Sequence, residues 1–173
     1  MKLAHLQKLE TATSLIQRNM RVSIVHSITG INQKCLRSLH REIHGTGPTA
    51  GQIPTTGRIL STRPKHGMAS VFAAIYRSIG NAKIFNSLDI FPLLSAYDLY
   101  LELSCGITRN NPNICPINIT QAWVIARDII IGAAYFRHCQ CCRIHYLLAD
   151  DAHVPPACPI CTLRKQEPKL SIS

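Results

Sequence analysis

Residues 138–161 read HCQCCRIHYLLADDAHVPPACPIC, and this stretch decides the architecture of the C-terminal part of the chain. Cys139-x2-Cys142 is followed, after 15 residues, by Cys158-x2-Cys161. That spacing belongs to a structural zinc site, with one Zn2+ per chain. Each C-x-x-C pair sits on a tight turn that aims two thiolates at one point, and two such turns complete a tetrahedron. Four protein ligands leave no position for a reactive water, so the site is structural and not hydrolytic. So short a tail buries little core, and a metal adds on the order of 10 kcal/mol of apparent folding energy. Cys141 lies inside the first pair and could exchange roles with Cys139. His138, His145 or His153 could replace one sulfur. The bland alternative is a set of free or redox cysteines. Tyr146-Leu147-Leu148 reads as a short strand of a zinc-ribbon-like module, and Pro155, Pro156 and Pro159 stiffen the second turn.

Upstream the pattern is helical. Leu3, Leu6, Leu9, Thr13, Ile16 and Met20 recur at helical steps over 3–19. A short helix fits 21–27, the Gly30 region interrupts it, and Asn32 caps a third helix over 33–44 that Gly45 ends. Leu36, Leu39 and Ile43 form the buried stripe of that helix. Residues 45–66 hold three prolines and four glycines, which predicts a loop or wrapping arm. Further helices are predicted over 68–86 and 90–104, then a turn-rich linker over 105–118. Thr120 is placed to cap an apolar helix from Gln121 to Tyr135. No alternating strand pattern precedes residue 136. The expected fold is therefore mainly α. A helical body (1–136) comprises a helix–turn–helix-like unit (21–44), a basic arm (45–66) and packing helices (67–136). A four-cysteine module and short basic tail (137–173) follow.

Charge narrows the function. The 173 residues carry 19 Lys and Arg against 9 Asp and Glu, a net +10 that favours a polyanionic partner, nucleic acid first. Residues 1–66 hold 10 of the basic and 2 of the acidic residues, so the anion-seeking surface lies mostly in the N-terminal third. Opposite the buried stripe of 33–44 lie Gln33, Lys34, Arg37, His40, Arg41 and His44. A short helix, a glycine turn and a longer helix form the layout whose second helix enters the major groove of DNA. Arg and Gln suit base edges, and Lys suits phosphates. The arm adds Arg58, Arg63 and Lys65 with no acidic residue. The plainer reading is an amphipathic helix with a solvated basic face.

Other classes fit poorly. No apolar run reaches the ~18–20 residues that cross a bilayer, and the N-terminus lacks a secretory pattern, so a cytoplasmic protein without a membrane partner is expected. No nucleophile–base pair, phosphate-cradling glycine loop or H-E-x-x-H is present, so catalysis is not expected.

The run TQAWVIARDIIIGAAYFRHCQCCRIHYLLADDAHVPPACPIC resembles the flagellar transcriptional activator FlhC family, in which a T-x-A-W helix leads into C-x-C-C and then C-x-x-C. SLIQRNMRVSIVHSITGINQKCLRSLHREIHGTGPTAGQIP and AYDLYLEL are similar too, so the resemblance spans roughly residues 10–165. It implies a mainly helical protein with zinc held by Cys139, Cys142, Cys158 and Cys161. It also implies a hetero-oligomer with an FlhD-type subunit that binds double-stranded DNA upstream of flagellar operons and recruits RNA polymerase. Residues 55–67 lack the tryptophans usual in the family, and few residues follow the last cysteine, so a divergent or shortened paralogue is expected. The competing class is a zinc-ribbon adaptor that binds protein and not DNA.

Overall fold

The computed structural model describes residues 3–110 and 114–165. It is mainly helical, with one two-stranded sheet, and it divides into two compact units. The first comprises residues 1–53 with 118–120; the second comprises 54–117 with 121–173.

The first unit holds α1 (Leu3–Gln17), α2 (Val22–Thr29) and α3 (Gln33–His44). Ala12, Leu15 and Ile16 of α1, Ile24 and Val25 of α2 and Leu36 of α3 are fully or almost fully buried and form its core. The turn chemistry follows the sequence. Gly30 and Gly45 take left-handed conformations (φ 71° and 69°), which end α2 and α3 at no steric expense. The Asn32 side chain accepts the Lys34 N–H at 2.8 Å and so caps α3. One expectation fails here. His40 and His44 do not share the basic solvent face. His40 is buried and bridges Asn19 Oδ1 (3.1 Å) and the Thr46 carbonyl (3.0 Å), while His44 Nε2 reaches the Ile16 carbonyl at 2.7 Å. The two rings lie 4.6 Å apart and tie α3 to the end of α1.

The second unit is built on α5 (Arg63–Gly80), with α4 (Thr56–Ile59) before it and α6 (Ile90–Asn110) packed along it. Phe72 of α5 stacks on Tyr76 at 6.0 Å and meets Tyr100 of α6 edge-on at 5.8 Å. The Tyr100 hydroxyl, fully buried, accepts the Ile117 N–H at 2.9 Å. The stretch expected to be an irregular arm to residue 66 is partly helical. Thr55 caps α4, Thr62 caps α5, and Pro64 falls in the first turn of α5, where its missing N–H has no role. Read by length and composition, α6 is also apolar enough over Ile90–Ile107 to cross a bilayer. Asp98 and Glu102 interrupt it, so the expectation of no unbroken apolar run of that length is not overturned there.

The last apolar helix is shorter than the sequence pattern suggests. α7 (Ile119–Ile130) stops at a turn in which Gly132 has φ 77°. β1 (Ala134–His138) follows, beginning inside the stretch expected to be helical to Tyr135 and two residues before the point where a strand pattern was first allowed. It pairs antiparallel with β2 (His145–Ala149), which covers the expected strand at Tyr146–Leu148. Thr120 lies inside α7 and not before it; its hydroxyl accepts the Arg21 N–H at 3.3 Å. Finally α8 (Pro159–Lys165) packs against α5 near Gly67 and Leu163.

Helix α5 closes the open edge of this small sheet. His66 Nε2 donates to the Leu147 carbonyl at 2.6 Å, and Ser70 Oγ accepts the Leu147 N–H at 3.1 Å. His66 and Ser70 are one turn apart, so they present a donor and an acceptor side by side. In an antiparallel pair the backbone groups of alternate residues point away from the partner strand, and at Leu147 both are satisfied by α5. Burial holds the His66 pKa below its ordinary 6.5, against the Leu147 bond, which raises it.

Two outcomes are expected. Gly57 donates its N–H to Asp151 Oδ1 at 2.9 Å, and a Cβ there would run into the Asp151 carbonyl. Gly57→Ala should therefore lower stability by about 2 kcal/mol in a thermal or urea melt. Burial holds the folded His66 below the ordinary value of 6.5 that it has in the unfolded chain, so near and below that pH the unfolded chain binds more protons. Its contribution to stability is present above pH 6.5 and is lost as pH falls from there through the folded pKa. His66→Gln keeps an N–H donor and should give a flatter melting-temperature profile between about pH 7 and 5 than the wild type.

Candidate metal centre and basic surfaces

The first pair of cysteines sits at the tip of the β1–β2 connection. The Cys139 N–H donates to the Ile144 carbonyl at 3.0 Å, and the Arg143 N–H returns to the Cys139 carbonyl at 2.8 Å. The turn closes with Arg143 at φ 58°, a left-handed conformation that costs a residue with a Cβ about 1 kcal/mol. The second pair is placed differently. Cys158 immediately precedes α8 and Cys161 lies in its first turn, with Pro159 at the first helical position. Thr162 bonds back to the Cys158 carbonyl through both its N–H (3.1 Å) and its hydroxyl (2.8 Å). The Tyr146 hydroxyl donates to the Pro156 carbonyl at 2.8 Å and anchors the loop between the pairs.

These turns bring the Sγ atoms of Cys139, Cys142, Cys158 and Cys161 within 4.8 Å of one another. Cys139 and Cys161 are 3.7 Å apart, and Cys142 and Cys158 are 3.6 Å apart. These spacings are far too long for disulfides. A tetrahedron with Zn–S arms of about 2.3 Å separates its sulfurs by about 3.8 Å. The donor set therefore fits a metal ion of zinc's size and softness. Cys139 and Cys158 are buried, and they pack with Tyr146 and Leu148 into a small cluster that half-buried Cys142, Ile160 and Cys161 complete. Cys141 is exposed and outside the quartet. Among the described residues no histidine joins it, so neither His138, His145 nor His153 replaces a sulfur.

The electrostatics of the quartet are uneven. The Cys142 backbone N–H, aimed at the Cys139 sulfur, brings that thiol down to about 6, while burial works against it. The Cys161 thiol is pushed up by its contact with Cys142, and Cys158 is pushed up chiefly by burial. Crowded thiols resist sharing negative charge, and a bound dication removes that resistance.

The basic candidates divide between the two units. On α3, Lys34, Arg37 and Arg41 are exposed, while Gln33 is half-buried and accepts a bond from Arg37 Nη2 at 3.2 Å. In the second unit, Arg58 on α4 and Arg63 and Lys65 in the first turn of α5 are exposed. Sequence reasoning missed Arg77 and Arg143 as part of a basic surface. Neither lies in a charge run, and only folding sets α5 beside the first cysteine turn.

The fold and site define a mainly helical protein with a four-cysteine metal-binding knuckle. A family model described as "Flagellar transcriptional activator (FlhC)" matches residues 2–170, and the chain belongs to that family, whose members regulate transcription and are not enzymes. Similar proteins include the flagellar transcriptional regulators FlhC of Gallionella capsiferriformans (28% identical, over 92% of this chain and 85% of that one), Cupriavidus necator (28%, over 92% and 76%) and Erwinia tasmaniensis (26%, over 92% and 87%).

Replacing one sulfur leaves three ligands and opens the tetrahedron. Metal analysis of the purified chain should find about one zinc for the wild type and for Cys141→Ser, whereas Cys158→Ser should lose the metal and the cooperative melting of the β1–β2 segment. Full zinc retention by Cys158→Ser would refute the assignment.

Proposed function

We propose that this chain is the DNA-binding subunit of a transcriptional activator that switches on flagellar operons. In this reading it works in the cytoplasm within a hetero-oligomer containing an FlhD-type subunit, and the complex recruits RNA polymerase. Zn2+ held by Cys139, Cys142, Cys158 and Cys161 is structural. It fixes the C-terminal module, taken as residues 137–173, against the helical body, and takes no part in chemistry because all four positions around it are filled. Membership of the FlhC family supports this reading.

The observation that carries DNA binding is the exposed face of α3. Lys34, Arg37 and Arg41 point outward from a helix that follows α2 across the left-handed turn at Gly30. Arg37 and Arg41 are one turn apart and so face the same way. A guanidinium offers two parallel donors, which match the acceptor pair on guanine and also the oxygens of phosphate. Arg58, Arg63 and Lys65 are additional candidates for phosphate contacts. Helix α6 is read as a packing helix, since α5 covers one side of it.

Fluorescence anisotropy with duplex DNA tests this. The zinc-loaded chain with its FlhD-type partner should bind at about 50 mM salt and weaken steeply as salt rises, because each phosphate contact displaces counterions. Arg37→Ala with Arg41→Ala should weaken binding about tenfold or more. Complex formation indifferent to salt, with no affinity for duplex, would identify a protein-binding adaptor instead.

A further inference from the structure

A second basic feature lies in the unit that holds the cysteine quartet. An open hollow of about 440 Å3 is lined by Ala74, Arg77 and Ser78 of α5 and by Arg143, Ile144 and His145 beyond the first cysteine pair. No carboxylate lines it, and among the described residues neither arginine has an acidic partner; Arg127 and Asp128 form an ion pair elsewhere in the unit.

The two arginines are placed differently. The Arg77 guanidinium lies over the Phe136 ring, 5.1 Å from its centre, and Phe136 is braced edge-on by Phe85 at 6.2 Å. This stacking orders the side chain while its N–H groups stay available. Arg143 is set by its turn, which fixes where the side chain leaves the backbone. Its φ of 58° is a conformation that glycine would adopt freely, yet an exposed arginine occupies it. A residue kept where the turn itself prefers another type points to a use for its side chain. His145 stands beside them, paired across the strands with His138 at 5.0 Å between rings.

We propose that this hollow binds a backbone phosphate of duplex DNA, gripped by Arg77 and Arg143. The inference rests on the DNA-binding reading above and adds a contact region separate from α3. Two arginines lining an acid-free hollow suit a tetrahedral oxyanion, since each guanidinium can offer paired N–H donors. Ser78 and His145 can supply further donors at the rim. Such a contact carries no base information. It would position the metal-bound end of the chain on the duplex and leave sequence reading elsewhere.

A phosphate contact is independent of sequence, so a labelled mixed-sequence duplex is a sufficient probe. It is titrated with the zinc-loaded full chain and its partner subunit over a range of salt. Arg143→Gly should shift the slope of log affinity against log salt toward zero by about 1, and Arg77→Gln with Arg143→Gly by about 2. Arg143→Lys should keep the wild-type slope. Glycine relaxes the backbone at 143, so Arg143→Gly should also melt no lower than wild type, which a merely structural role for Arg143 would not produce. It decides the matter even where Arg77→Gln disturbs Phe136. A wild-type slope and affinity for Arg143→Gly, with binding still lost in the Arg37 and Arg41 variant, would overturn the hollow alone. No duplex binding by the wild type would overturn the DNA reading and the hollow together.

Discussion

Four thiols gathered within 4.8 Å cannot all ionise unless a cation stands among them. That constraint organises the C-terminal third of the chain. The thiols come from two unlike turns, one at the tip of a hairpin and one at the start of a helix, and little apolar surface joins them beyond Tyr146 and Leu148. Packing alone would hold such turns weakly, because so short a segment buries little against the entropy of ordering it. A metal bound there would convert the repulsion among the sulfurs into the strongest tie in the segment. Such a tie would also hold in place Arg143 and His145, three residues or fewer from a cysteine of the quartet.

Helix α5 then connects the cysteine quartet's end to the rest of its unit. One side of it carries Phe72 and Tyr76 into an aromatic core with α6. Its first turns carry His66 and Ser70 to Leu147, and Arg77 lies further along, over Phe136. A single helix thus serves the apolar core, the sheet and a basic hollow.

Much of this was legible in the residues. The limits of α3 could be read from Asn32 and Gly45 because caps are local chemistry: a side chain accepting an N–H, and a residue free to turn left-handed. The cysteine quartet was legible because two turns of fixed geometry admit few arrangements. His40 and His44 were misplaced because a helical wheel records only hydrophobicity; His40 is buried and His44 half-buried, each as a hydrogen-bonding group, with partners 6 to 28 residues away. The start of α5 was hidden because Pro64 reads as a breaker until Thr62 is seen to cap the helix before it. The end of α7 was hidden because apolar Ile130 and Ile131 continue the pattern past the point where Gly132 turns the chain. The pairing of Leu147 with α5 leaves no trace in local sequence, since its partners lie 77 and 81 residues earlier.

A ribbon of only two strands ordinarily offers each border as a template on which a foreign chain can dock, and unguarded borders seed aggregation. The histidine and hydroxyl from α5 take up that invitation at Leu147, the middle of β2. An incoming strand would find no vacant backbone groups at that residue, so on the β2 border recognition falls to charge and shape rather than to strand addition.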